Sequence, residues 1–114
     1  MNALQDALQA SLFLNSTDQY HGRPMYSAII HLCQEKGLAG ASVVRCMEGY
    51  GAGHHLHTQR ILELSNNMPI RIDIIDTPDR IHAFLESASG ILSSGMAVLT
   101  PVKIMRFEPA PKTG

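Results

Sequence analysis

Ala41-Ser42-Val43-Val44-Arg45-Cys46-Met47-Glu48 has the β-branched and apolar content of a buried strand, and it runs directly into Gly49-Tyr50-Gly51. Glycine frees the backbone from the ordinary φ limits, so a strand here launches a loop. The chain that follows, Ala52 to Asn67, is polar and carries His54, His55, His57 and Arg60. Met68-Pro69 then leads into a second apolar run, Ile70-Arg71-Ile72-Asp73-Ile74-Ile75-Asp76. A long polar excursion between two core strands is expensive to order, and such segments are usually retained for binding. Function is expected at its base.

Working outward, Leu8, Ala10, Leu12 and Leu14 alternate with Gln9, Ser11, Phe13 and Asn15, the period-two pattern of a strand with one buried face. Polar Ser16-Thr17-Asp18 and His21-Gly22 come next, then Pro24, which suits a first helical turn because its missing N–H has no intrahelical partner to lose. Tyr26, Ile29, Ile30 and Cys33 recur at helical spacing and Gly37 supplies a left-handed stop, so a helix is expected from about Pro24 to Lys36. The second half repeats the plan. After the strand Ile70 to Ile75, Thr77-Pro78-Asp79 reads as a cap, a first-turn proline and an acid matched to the helix dipole. Ile81, Phe84, Leu85 and Ala88 form the stripe and Gly90 closes it. A last strand, Val102 to Phe107, is expected after a loop bounded by Gly95 and Pro101.

Strand-helix-strand, twice, defines an α+β class. Two right-handed units of this kind interleave into the ferredoxin-like βαββαβ arrangement, a four-stranded antiparallel sheet with two helices on one face and the long loop between the second and third strands. At 114 residues the chain is expected to form a single domain, residues 1–114, with 1–6 and 108–114 frayed. Val43-Val44, Ile74-Ile75 and Leu12-Phe13-Leu14 place apolar side chains on both faces of the sheet, yet the helices cover only one. An exposed apolar face of that extent on a soluble domain points to self-association, with the loop bases near subunit boundaries.

A formal charge of −1 with no Lys/Arg cluster argues against nucleic acid as a partner. Cys33 and Cys46 are isolated thiols without CxxC spacing, and no secretory leader pattern is present, so a reduced, cytoplasmic protein is expected. Apolar runs of a few residues are far short of the roughly 20 a bilayer requires.

Four short stretches carry a family resemblance: Gly22-Arg23-Pro24-Met25-Tyr26-Ser27-Ala28-Ile29, Gly37-Leu38-Ala39-Gly40-Ala41, Glu48-Gly49-Tyr50-Gly51, and Met68-Pro69-Ile70 leading to Asp76. In that order, and over about Leu12 to Phe107, the chain resembles the PII-like family called domain of unknown function 190, related to the nitrogen-regulatory PII signalling proteins. The resemblance implies a homotrimer. It also implies a small-molecule effector, an adenine nucleotide, bound in clefts between subunits at the foot of the long loop. The loop would contact a protein partner, and PII relatives often act on membrane transporters or enzymes. PII proteins have a glycine-rich, acidic loop before the last strand, where this chain has Met96-Ala97-Val98-Leu99-Thr100-Pro101, and Lys103 falls where a PII phosphate-binding lysine would open that strand. The nearer family commonly has an acidic residue at Asn15 and a glycine at Cys46.

Among single residues, Gly49, Tyr50 and Gly51 could offer backbone N–H groups to an anion and a ring to a base. Arg45, Arg71, Lys103 and Arg106 lie in expected strands, where a cation facing a cleft could hold phosphate. Arg45 and Lys103 join the glycines as candidate ligand-binding residues, and His54, His55, His57 and Arg60 form the candidate partner-binding loop. The alternative function is a trimeric divalent-metal-binding protein, similar to the divalent-cation tolerance family, using His54, His55 and His57. Adjacent histidines on an extended loop point apart, so such a site would need ligands from another subunit. His21, His31 and His82 read as helix-surface or capping residues. Cys33 and Cys46 read as small apolar fillers, and Glu48, Asp73 and Asp76 lack the paired spacing of acid/base catalysis, so no enzyme is expected.

Overall fold

A computed structural model of the chain describes residues 3–46, 48–49, 57–58, 68–93 and 95–107. Its elements are β1 (Leu4–Asn15), a hairpin of β2 (Gln19–Tyr20) and β3 (Arg23–Pro24), α1 (Met25–Lys36), β4 (Gly40–Arg45), a short ladder of β5 (Glu48–Gly49) and β6 (His57–Thr58), β7 (Pro69–Asp76), α2 (Pro78–Ala88) and β8 (Met96–Met105). The main sheet runs β4-β7-β1-β8 with every neighbouring pair antiparallel. This is the expected α+β, ferredoxin-like arrangement.

The alternation in the sequence explains the layering. Leu8, Ala10, Leu12 and Leu14 of β1 pair in register with Asp76, Ile74, Ile72 and Ile70 of β7, so one face of the two central strands is an unbroken apolar surface except at Asp76. Met25, Ile29 and Cys33 of α1 and Ile81, Phe84 and Ala88 of α2 close over it. Helix α1 stops where Gly37 takes φ +65, with Leu38 N–H bonded to the Cys33 carbonyl at 3.2 Å and Gly37 N–H to that of Gln34 at 3.1 Å. Those paired bonds satisfy two carbonyls the helix would otherwise leave open.

Several boundaries differ from the sequence expectation. The first strand begins at Leu4, inside the stretch expected to fray, because Leu4 to Asp6 pair with Met105 to Lys103 of β8. The last strand begins at Met96 and ends at Met105, so Met96 to Pro101 is strand and not loop, and Phe107 lies beyond it, 79 % exposed. Pro101 is tolerated because β8 is an edge strand, where one row of N–H groups has no ladder partner to lose. Strand β4 ends at Arg45 and is exposed from Ala41 to Arg45, not buried. It is the opposite edge, and neither helix lies over it fully. Thr77 occupies the α2 N-cap position without a side-chain cap bond, Asp76 accepting the Thr77 N–H instead, and Ser89 rather than Gly90 is the C-cap.

The face away from the helices carries cross-strand rows. Val44, Arg71, Phe13 and Met96 form one, and Ser42, Asp73, Ser11 and Val98 the next. Val44, Met96 and Val98 are exposed apolar residues at the edges of this face, and between them lies a polar group in which Ser11 Oγ donates to Asp73 Oδ1 at 2.8 Å and Arg71 Nε to Asp73 Oδ2 at 3.1 Å.

Candidate ligand cleft at the root of the long loop

Exit and return of the excursion are fixed to each other and to the β1–α1 connection. Cys46 N–H donates to the Pro69 carbonyl at 2.9 Å. Met68, 2 % exposed, is held from both sides: its N–H donates to Ser16 Oγ at 2.8 Å and its carbonyl accepts Ser16 N–H at 2.8 Å. Asp18 keeps that connection folded, its carboxylate accepting Asn15 N–H at 3.0 Å and its carbonyl accepting Met25 N–H at 2.8 Å. Beyond Cys46 the chain forms the β5–β6 ladder, in which Glu48 pairs with Thr58 and Gly49 with His57. Two residues expected to serve separately, a glycine at the root and a loop histidine, are thus register partners. Tyr50, Gly51, His54, His55 and Arg60 lie outside the described residues.

At the same end of the sheet, on the helix side, an open cleft of about 310 Å³ lies beside Leu12 and Leu14 of β1, with Leu92, Ser93 and Gly95 of the α2–β8 connection and the start of β8 as its other wall. Gly95 shapes this wall. Its φ is +106 and a Cβ there would overlap the carbonyl oxygen of Phe13, so the backbone of the connection lies directly against β1. The cleft walls are mainly aliphatic, with the Ser93 hydroxyl and the backbone as polar groups. They suit the flat apolar body of a ligand better than a bare phosphate.

The candidate cations are dispersed. Arg45 ends β4, exposed, in the row Arg45–Ile70–Leu14 that reaches the cleft wall two strands away, about 10 Å. Lys103 does not open the last strand but sits near its far end, where Nζ bonds Asp6 Oδ1 at 2.6 Å. Asp6 is eight residues along β1 from Leu14, which separates Lys103 from the loop root by about 26 Å within one protomer. The Lys103 hydrogen bond and charge hold the Asp6 carboxyl below its ordinary range. Arg71 is engaged by Asp73, and Arg106 is exposed beyond β8.

The other sequence candidates are placed as follows. His21 lies in the β2–β3 turn, and His31 and His82 are exposed on α1 and α2. Cys33 is in the core, where burial pushes its thiol up to about 11, and Cys46 is half-buried. Among the described residues no group of three His, Cys, Asp or Glu side chains could hold a metal ion, and no helix is long and apolar enough to cross a membrane.

Asp76, set aside above as a catalytic candidate, has a structural role. It is 3 % exposed and accepts N–H bonds from Thr77 at 2.7 Å, Ala39 at 3.0 Å and Arg80 Nε at 3.0 Å. Burial pushes its carboxyl up, and the Thr77 and Ala39 bonds with the Arg80 guanidinium outweigh it, leaving the group below its ordinary value. Arg80 Nη2 also donates to the Lys36 and Gly37 carbonyls at 2.8 Å each, tying the end of α1 to the start of α2. The i, i+4 spacing of Asp76 and Arg80 was the available signal.

Comparison with known proteins agrees with this architecture. The chain is 29 % identical over 94 residues to a UPF0166 protein of Aquifex aeolicus (strain VF5), covering 82 % of this chain and 89 % of that one. A UPF0166 protein of Methanocaldococcus jannaschii is 26 % identical over 98 residues, covering 85 % and 90 %. Among solved structures, CPII from Thiomonas intermedia K12 bound to ADP and bicarbonate superposes with a TM-score of 0.67 at 16 % identity, covering 91 % of this chain and 93 % of that one. CPII, a nitrogen regulatory PII-like protein, bound to ADP, AMP and bicarbonate gives 0.68 at 16 %, covering 91 % and 92 %. At such identities the likeness establishes the fold, and it is the PII-like one. The family model described as DUF190, Uncharacterized ACR, COG1993, matches residues 7–104, the span from the buried half of β1 almost to the end of β8, and the chain belongs to that family.

Proposed function

We propose that this chain is a PII-like regulatory protein. Three copies would associate through the open sheet face, and an adenine nucleotide would bind at the loop root between protomers. The observation that carries the reading is the coincidence, at one end of the sheet, of a pinned loop root and an open aliphatic cleft bounded by the α2–β8 connection. CPII, with a similar fold, has been solved with ADP and AMP bound, which supports an adenine nucleotide as the ligand. The base would lie on the aliphatic walls and against the Tyr50 ring, while the backbone N–H groups of Gly49, Tyr50 and Gly51, with Arg45, would meet the phosphates. Lys103 could join only from a neighbouring protomer, being about 26 Å from the root of its own loop. The apolar edges of the open face, Val44 on one side and Met96 and Val98 on the other, support self-association.

Because both ends of the excursion are anchored, a ligand at the root that contacts only one arrangement of residues 52–67 shifts the loop population by its difference in affinity for the two. The loop would thereby offer or withhold a surface for a protein partner.

A thermal-shift screen of the purified protein against ATP, ADP, AMP, cyclic nucleotides, zinc and copper tests this. Binding confined to the folded state stabilises by about 2.7 kcal/mol at one hundred times Kd, so at least one adenine nucleotide is expected to raise Tm with the logarithm of its concentration. Stabilisation by metals alone, abolished when His54, His55 and His57 are changed to alanine, would assign the protein to the metal-binding alternative.

A further inference from the structure

A second groove, of about 320 Å³, gathers charge that the fold leaves unused. It lies between the β2–β3 hairpin, one side of α1 and the start of the α2–β8 connection. Ala28, Leu32 and Ile91 make its apolar floor, Ala28 buried and the other two half-buried. Ala28, His31, Leu32 and Glu35 follow the i, i+3, i+4, i+7 spacing and so form one stripe of α1. The opposite wall is the hairpin, whose two-residue turn takes φ +51 at His21 and +77 at Gly22. That turn brings the Tyr20 and His21 rings together as a stacked plate, centroids 4.2 Å apart.

Arg23 on the hairpin and Glu35 on the helix both line this groove, both are exposed, and neither side chain makes a hydrogen bond or ion pair among the described residues. The two side chains therefore form no ion pair with each other. A purely anionic ligand could pair with Arg23 alone and a purely cationic one with Glu35 alone. A ligand carrying both signs satisfies both. Its carboxylate can take the guanidinium in two parallel bonds, its ammonium can meet Glu35, and its body can rest on the Ala28, Leu32 and Ile91 floor.

We propose that this groove is a binding site for a small zwitterion of the α-amino-acid type, held between Arg23 and Glu35. The site is separate from the nucleotide cleft, and the proposal stands without that reading. The two adjoin one connection: Ile91 of this floor precedes Leu92 and Ser93 of the cleft wall, and Ile91 and Leu92 N–H both bond the Ala88 carbonyl at 2.9 Å.

The test is a titration of the whole ¹⁵N-labelled protein with each of the common amino acids, followed by amide shifts. At least one should give saturable shifts at Tyr20, Arg23, Leu32 and Ile91 below about 10 mM. Its deaminated acid and its decarboxylated amine should each bind at least about tenfold more weakly, as should the amino acid to Arg23→Gln and to Glu35→Gln. Both variants should keep the wild-type spectrum elsewhere and the wild-type response to nucleotide. The proposal is overturned if no amino acid gives a saturable shift at these amides, if either single-charge analogue binds as well as the zwitterion, or if either variant retains wild-type affinity.

Discussion

Gly95→Ala lowers the stability of this protein by about 3 kcal/mol or more. Two effects add. A left-handed backbone conformation costs a residue with a Cβ about 1–2 kcal/mol, and at φ +106 alanine is in a region glycine alone adopts readily. The added carbon would also overlap the Phe13 carbonyl oxygen, a backbone atom inside the β1 ladder, so relief requires moving the start of β8 off β1. Loss of the Phe13–Met96 and Leu12–Ala97 register pairs opens an edge of the sheet beside the cleft. For a domain of this size the change corresponds to a fall in Tm of roughly 10–15 °C. Urea titration at fixed protein concentration checks it, and a change within about 0.5 kcal/mol, the range of ordinary surface substitutions, would mean that the close approach of the connection to β1 is misread. Gly90, where a Cβ meets nothing within 4 Å, is the control: Gly90→Ala is expected to fall inside that range.

Asp76→Ala is the second large effect, a loss of about 3–4 kcal/mol. The carboxylate is almost fully buried and answers Thr77, Ala39 and Arg80 together; removing it strands two backbone N–H groups and releases the guanidinium that also caps α1. Asp76→Asn, which keeps one acceptor oxygen and the shape, should lose less. The pH dependence follows from the lowered folded-state value. In the acid range the unfolded chain takes up the proton before the folded chain does, so stability rises with pH there. The Asp76 contribution is complete above the unfolded carboxyl value of about 3.9 and is lost as pH falls through the folded one. Denaturation of wild type and Asp76→Asn from pH 7 downward should therefore give a difference that is constant near neutrality and narrows below about pH 4. A difference independent of pH would show that Asp76 acts by shape and not by charge.

The architecture was legible because its signals are local and repeated. Alternation in Leu8 to Asn15 and Ile70 to Ile75, the Pro78 start and the Gly37 stop each mark one element, and two such series order the strands. What was lost lies where pairing over long separation overrides local preference. Pro101 reads as a loop boundary, yet an edge strand leaves its missing N–H without consequence, so β8 extends through it and displaces Lys103 from the strand opening. Leu4 to Asp6 show no apolar alternation, and only the distant β8 holds them extended. His21-Gly22 was visible as a polar pair, but its role as a two-residue hairpin turn required flanking strands of only two residues each, too short to show a period. The loop root was recognised from Gly49 and the polar run after it. The cleft beside it was not, since it is lined by aliphatic residues whose spacing belongs to ordinary core strands and whose shape depends on Gly95 meeting Phe13 across the sheet.

On the proposed function, a nucleotide at the loop root governs how the excursion is presented. Amide hydrogen exchange on the purified full-length protein, with and without saturating ADP, tests this. Slower exchange is predicted in peptides covering Arg45 to Thr58 and Leu92 to Ala97, with the remainder of the sheet unaltered. ADP binding that leaves both of these segments at their ligand-free rates would contradict it.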